Sequence, residues 1–334
     1  MSACWPQAEF SIVAMADGGE GTVDAFLQNG AARLQARVHG PLGALVDAPF
    51  AMQDHTAIIE LAAASGLMLV PENSRDILHS DTYGTGELIR AALDAGAERI
   101  IMGIGGSATN DCGTGMLRAL GVRFIDEMGD DLDRGILRYS RLDEIDLSAL
   151  DPRLRRTELI VASDVDNPLC GPNGAARTFA AQKGANPAQI ALLDAALDHI
   201  ADVAAVTLKR DERETPGAGA AGGVGYALME FLNARMERGV QVIAKEVKLD
   251  EQLRHADLCA TGEGKIDDQT LHGKTVAGVA ELAKAENVPV VAFGAIVEPD
   301  ARAQLEARGI VVREAGDDLE KAARDYAGEL ERCS

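Results

Sequence analysis

The sequence predicts an α/β protein with a parallel sheet, on three observations. The last third alternates strand and helix patterns at βαβ spacing, several apolar runs empty into glycine-rich loops that open helices, and 47% of the residues are apolar, enough for a sizeable core. At 334 residues the chain fits two domains better than one.

FSIVAMA, residues 10–16, predicts a buried strand delivering Asp17-Gly18-Gly19-Glu20-Gly21-Thr22, and VDAFLQNG predicts a helix closed by Gly30. RLQARVHG, ALVDAPFAM and AIIEL predict a β-meander over residues 31–60 with a turn at Gly40-Pro41-Leu42-Gly43, and the change of pattern marks a second domain. Residues 82–96 read as a helix and 99–103 as a strand. VRFID and ELIVASD follow as strands, the second ending at Asp164, and apolar residues at helical spacing predict a long helix over 188–209. The charged residues 210–215 end that helix before PGAGAAGGVGYALMEFL, a glycine loop opening another. DLCATGEG, VPVVAFGA and IVVREAG then alternate as strands with the helices TVAGVAELAKAE, DARAQLEARG and DLEKAARDYAGELER. In such a sheet functional residues are expected at the carboxyl ends of the strands.

The formal charge is −21, from 32 Lys and Arg against 53 Asp and Glu, which argues against nucleic acid or an anionic membrane as partner. An anionic substrate would therefore need local basic residues. Cys4, Cys112, Cys170, Cys259 and Cys333 form no C-x-x-C pair and sit at no metal-ligand spacing, which fits a reduced cytoplasm. MSACWPQAEF lacks the pattern of a secretory signal, and no apolar run approaches the roughly 18 residues of a membrane span. The expected location is cytoplasmic.

Residues 100–121, IIMGIGGSATNDCGTGMLRALG, carry the strongest functional signal. Gly103, Gly105, Gly106, Gly113 and Gly115 let backbone N–H groups approach a ligand, as in phosphate-cradling loops. Gly103, Gly105 and Ala108 also spell G-x-G-x-x-A after a strand, with Asp126 ending the next strand, so an NAD-binding oxidoreductase is an alternative. Ser107, Thr109, Asn110 and Asp111 are unusually polar for that fingerprint and suit a polyhydroxylated or phosphorylated ligand. Thr261-Gly262-Glu263-Gly264-Lys265-Ile266-Asp267-Asp268-Gln269 follows DLCA directly, so it presents carboxylates and a lysine as either a strand-end site or a solvated turn. Gly273-Lys274-Thr275 lacks the first glycine of a Walker A loop, yet places a cation before a helix. Gly217, Gly219 and Gly222 either line a ligand or allow close packing. Asp164 closes its strand, and Lys183 is a cation in a loop of small residues.

Nine segments resemble the bacterial class I glycerate kinases in the same order: ADGGEGT, GPLG, ELAAASGL, YGTGELI, GIGGSATND, DVDNPLCG, QKGA, PGAGAAGG and TGEGKIDDQ. The resemblance covers about residues 8–294. It implies a flavodoxin-like parallel-sheet domain built from both chain ends, residues 1–35 plus 250–334, with a second α/β domain, residues 36–249, inserted. It implies transfer of the γ-phosphoryl of ATP, with Mg²⁺, to glycerate, D-glycerate giving 2-phosphoglycerate.

Under that resemblance, Gly105, Gly106, Ser107, Thr109, Asn110, Asp111, Lys183, Gly217, Gly219, Gly222 and Lys274 are the candidates for holding substrate or phosphate. Asp164, Lys265 and Glu263 are the catalytic candidates, and Asp164 and Asp267 the metal candidates. The family opens with a further strand and an Asp-Ser-x-Lys loop that this chain starts too late to contain. The expectation attached to that departure is weak activity, or a remnant that binds a small molecule without turnover.

Overall fold

Apolar runs flanked by turn residues become the central strands of each unit's sheet. The computed structural model describes residue 5, residues 7–271 and residues 275–333. The chain divides into two units, Gly18–Gly239 and Met1–Asp17 with Val240–Ser334.

The Gly18–Gly239 unit runs α1 (Thr22–Gln28), β1 (Ala32–His39), β2 (Leu45–Gln53), β3 (Thr56–Glu60), α2 (Ala62–Ser65), α3 (Tyr83–Asp94), β4 (Arg99–Gly103), α4 (Thr114–Ala119), β5 (Arg123–Asp126), β6 (Leu142–Asp146), β7 (Glu158–Ala162), α5 (Ala175–Phe179), α6 (Pro187–Leu208), α7 (Val224–Leu232) and β8 (Arg235–Glu237). Six strands form one mixed sheet in the order β1-β2-β3-β4-β7-β8. The β1-β2-β3 meander is antiparallel, and β3, β4, β7 and β8 are parallel. Central β3, β4 and β7 bury nearly every residue, as strands covered on two faces must, whereas edge strand β1 exposes Arg33, Gln35 and neighbouring residues. Helix α6 starts where Asn186 and Gln189 form a reciprocal capping box beside Pro187. Ile59, Leu88, Ile100, Met102, Leu117, Val161 and Leu197 share one core.

The other unit contains α8 (Gly239–Glu246, which begins at the boundary), α9 (Leu249–Leu253), β9 (Cys259–Ile266), α10 (Asp268–Leu271), α11 (Thr275–Ala285), β10 (Val290–Val297), α12 (Pro299–Ala307), β11 (Ile310–Glu314) and α13 (Leu319–Cys333). Its three strands are parallel, in the order β11-β10-β9. On β10 the side chains alternate: Val290 and Ala292 join a core with Val276, Ala280 and Leu305, while Val291 and Phe293 meet Tyr326 on the opposite face.

Four expectations need correcting. Residues 10–16 form no strand: Phe10 and Ile12 are exposed, while Val13 and Met15 pack on the core of the second unit without a ladder partner. Helix α1 packs on β2 and β3, with Val23 N–H donating to Glu60 Oε1 at 2.7 Å, so it belongs with the Gly18–Gly239 unit. The division therefore falls at Asp17/Gly18 and Gly239/Val240 rather than at 35/36 and 249/250. TGEGKI is not a loop beyond a strand, because β9 pairs with β10 through Ile266.

Candidate functional site

In the Gly18–Gly239 unit the glycine-rich loops gather at the carboxyl ends of the parallel strands. The loop that opens at Gly18 lies over the ends of β4 and β7: a Cβ on Gly18 would meet Ala162 O at 2.6 Å, and one on Gly103 would meet Gly18 O at 2.3 Å. Only glycine permits that approach. Glu60, at the end of β3, is partly buried against this loop, and burial raises its carboxyl above the ordinary value.

From β4 the chain enters the loop singled out in the sequence. Gly105 and Gly106 are exposed, and Gly106 sits at φ 71°, whereas Ser107 to Asp111 are buried. Lys183, only 3% exposed, reaches this loop and donates to Ser107 Oγ at 2.6 Å and to Thr109 O at 2.7 Å. Burial brings its pKa down to about 7, against the attraction of Asp111. The Thr109 hydroxyl and both amide atoms of Asn110 are sealed from solvent and have no partner. A buried polar group without a hydrogen bond costs about 1–3 kcal/mol.

Asp111 is occupied within the chain. Its Oδ2 accepts from Thr82 N, Thr82 Oγ1 and Gly115 N at 2.9, 2.8 and 3.1 Å, and its Oδ1 accepts from Gly113 N at 3.2 Å. Burial and neighbouring Asp81 push its pKa up to about 6. Its carboxylate thus ties the loop to the start of α3 and α4 rather than facing a ligand. Gly217, Gly219 and Gly222 also serve packing: a Cβ on Gly219 would meet Pro168 O at 2.3 Å, and one on Gly222, at φ 70°, would meet Thr109 O at 2.2 Å. Asp164 is exposed, two residues past the end of β7.

In the other unit, Glu263 accepts a hydrogen bond from Thr270 Oγ1. Lys265 lies between Asp267 at 3.3 Å and Glu298 at 2.6 Å, and these carboxylates raise its pKa above the ordinary lysine value. Lys274 lies outside the described residues. Among the described residues no three His, Cys, Asp or Glu side chains gather as a metal site.

The dinucleotide alternative fails on topology. Asp126 ends β5, which pairs only with β6 in a separate antiparallel sheet, and its Oδ1 closes a turn by accepting from Met128 N and Asp130 N. The fingerprint requires that acid on a strand of the same parallel sheet. Sequence reasoning missed Thr82, Asp81 and Arg134. Thr82 also accepts from Met116 N, while Asp81 forms a two-pronged contact with Arg134, which stacks over Tyr83. YGTGELI was the available signal for the start of α3, but nothing in its spacing pointed to Asp111. A surface cavity of about 390 Å³ lies against Thr157, Glu158 and Leu159 at the amino end of β7 and includes none of the candidate residues.

The family model described as the Glycerate kinase family matches residues 1–334. A glycerate kinase of Bacillus subtilis (strain 168) is 46% identical over 343 residues, covering 98% of this chain and 90% of the relative. A glycerate 2-kinase of Escherichia coli (strain K12) is 47% identical over 300 residues, covering 89% of this chain and 78% of the relative. A crystal structure from Salmonella typhimurium LT2, of a protein assigned as glycerate kinase 2, superposes with a TM-score of 0.87 at 42% identity, covering 99% of this chain and 91% of that one.

Proposed function

The chain belongs to the glycerate kinase family, and from that membership we propose that it transfers the γ-phosphoryl group of ATP to D-glycerate, forming 2-phosphoglycerate with Mg²⁺ as the accompanying cation. It is an enzyme, a kinase. The observation that carries this assignment is the match along residues 1–334, joined by relatives of 46% and 47% identity that cover most of the chain.

Phosphoryl transfer asks the protein mainly to position two substrates and to neutralise charge. The exposed backbone at Gly105 and Gly106, with Ser107 and the Lys183 ammonium behind it, suits an anion at the end of β4. Lys265 and Lys274 remain proposed contacts for nucleotide phosphate, Glu263 and Asp164 proposed acceptors of the hydroxyl proton. Mg²⁺ is commonly held by one or two carboxylates together with substrate phosphates, so Asp164 and Asp267 are each proposed as a donor to it. When bound, the cation would offset phosphate charge. The three parallel strands β9, β10 and β11 support the flavodoxin-like reading of their unit. ATP and glycerate are the small-molecule partners this reading implies.

The test is turnover of ATP with D-glycerate, L-glycerate and glycerol, with and without chelator, the product identified by phosphorus NMR. The expected result is metal-dependent 2-phosphoglycerate. ATP and glycerate binding without turnover would make the chain a binding protein instead, and a 3-phosphoglycerate product would overturn the assigned hydroxyl.

A further inference from the structure

A serine hydroxyl is a weak nucleophile until a neighbouring base takes its proton, and that base must itself be held in place by a third group. Ser107 and Lys183 meet both conditions. Lys183 Nζ stands 2.6 Å from Ser107 Oγ, and a second contact, to Thr109 O at 2.7 Å, fixes the amine beside the hydroxyl. Lys183 is 3% exposed, and its side-chain bonds among the described residues go to these two oxygens rather than to a carboxylate.

Burial favours the neutral form of this amine. At a pKa of about 7 roughly half of it is unprotonated at neutral pH, against roughly one part in three thousand for an ordinary lysine at 10.5. A neutral amine has two hydrogens and one lone pair. One hydrogen keeps the Thr109 carbonyl while the lone pair accepts from the Ser107 O–H, so the 2.6 Å contact then runs from serine to lysine.

The surroundings decide which group Ser107 would attack. It follows exposed Gly105 and Gly106 at the end of β4 and is itself 7% exposed. Among the described residues the backbone N–H groups of Gly105, Gly106 and Ser107 donate to no acceptor, so three consecutive donors adjoin the hydroxyl, as at sites that stabilise negative oxygens. Charge balance then selects phosphoryl over acyl. An acyl group would leave a newly protonated Lys183 buried beside a neutral ester, whereas a phosphoryl group sets negative oxygens beside the ammonium, and a buried charge is tolerated when it is paired.

Resting on the kinase reading for its donor, we propose that Ser107 is itself a phosphoryl acceptor with Lys183 as its base, so that the chain forms a phosphoserine from ATP when no hydroxy acid is present. In this step Ser107 Oγ bonds to the γ-phosphorus, the bond from that phosphorus to the β,γ-bridging oxygen breaks, and ADP leaves. The hydroxyl proton moves to Lys183 Nζ. ATP, a hydroxyl and a neutral amine thus become ADP, a phosphate monoester and an ammonium, with no net change of charge.

The experiment incubates the whole chain with ATP labelled at the γ-phosphate, without glycerate, and locates the label by peptide mass spectrometry, with glycerate turnover measured on the same preparation. Expected is label at Ser107, absent in Ser107→Ala and formed at least about 100-fold more slowly in Lys183→Met. Lys183→Arg, which keeps a cation but cannot give up its proton, should be as slow. Label confined to another residue, or none at Ser107 in a preparation that turns over D-glycerate, overturns the proposal and leaves the kinase reading standing. Label formed at the parent rate in folded Lys183→Met overturns the lysine as base. Should both lysine variants fail to fold, the parent and Ser107→Ala decide. A preparation that turns over no glycerate refutes the kinase reading alone. Acetyl phosphate, a small donor of the same group, then tests Ser107 directly: label there supports the nucleophile, and its absence overturns it.

Discussion

Replacing Lys183 by methionine should remove an alkaline rise in the stability of the Gly18–Gly239 unit. The folded pKa of Lys183 is about 7 against an ordinary lysine value of 10.5. Between those values the unfolded chain binds more protons than the folded one, so stability increases with pH across that window. The cost of the buried charge is thus fully present below pH 7 and is relieved above it. With 1.36 kcal/mol per pK unit, the gain between pH 7 and pH 9 is about 2 kcal/mol after allowing for partial titration at each end. Asp111 acts oppositely on the acid side. Its pKa is about 6 against an ordinary 3.8, so the folded state holds the extra proton and stability falls by about 3 kcal/mol as pH rises through that interval. Together they place their shared minimum between pH 6 and 7. Methionine does not titrate, and other groups cancel when variant is subtracted from parent. Urea unfolding at pH 7, 8 and 9, followed by far-ultraviolet circular dichroism, reads this difference directly. A parent-minus-variant free energy constant within about 0.5 kcal/mol across that range would refute a sealed, unpaired ammonium at Lys183.

Asp111→Asn should cost about 3 kcal/mol, because one amide oxygen cannot serve four donors, and differential scanning calorimetry should show the melting temperature falling by about 6 to 12 °C. Gly222→Ala should cost more than about 2 kcal/mol, since its Cβ would fall 2.2 Å from Thr109 O at a φ of 70°; melting within 2 °C of the parent would contradict that packing. Asp164→Asn should lower kcat at least about tenfold with an unchanged melting temperature, as expected for an exposed acid that serves chemistry; steady-state assays that find kcat intact remove it from the site. Lys265→Met should leave the melting temperature unchanged despite its two carboxylate partners, which lie at the surface, while raising the ATP KM about tenfold if it meets phosphate.

The sequence by itself determined the α/β class, the family, and most of the elements, because each rests on information local to a few residues. Continuous runs such as IIMG and LIVA, short and bounded by turn residues, read as strands covered on both faces, and the Asn186-Pro187 start of α6 is written in adjacent residues. Local information failed where a partner was needed. FSIVAMA has the pattern of a strand but no ladder, and LDEID became β6 despite three acids because β5 pairs with it. At the site, the residue types pointed to an anion near Ser107, Thr109, Asn110 and Lys183. Only the tertiary structure decided their roles. It brought Lys183 to a hydroxyl 76 positions earlier in the chain, saturated Asp111 with donors from α3 and α4, and pressed Gly222 against Thr109. Burial and hydrogen-bond saturation depend on residues distant in sequence, and they separate a carboxylate that holds a loop from a lysine buried beneath it.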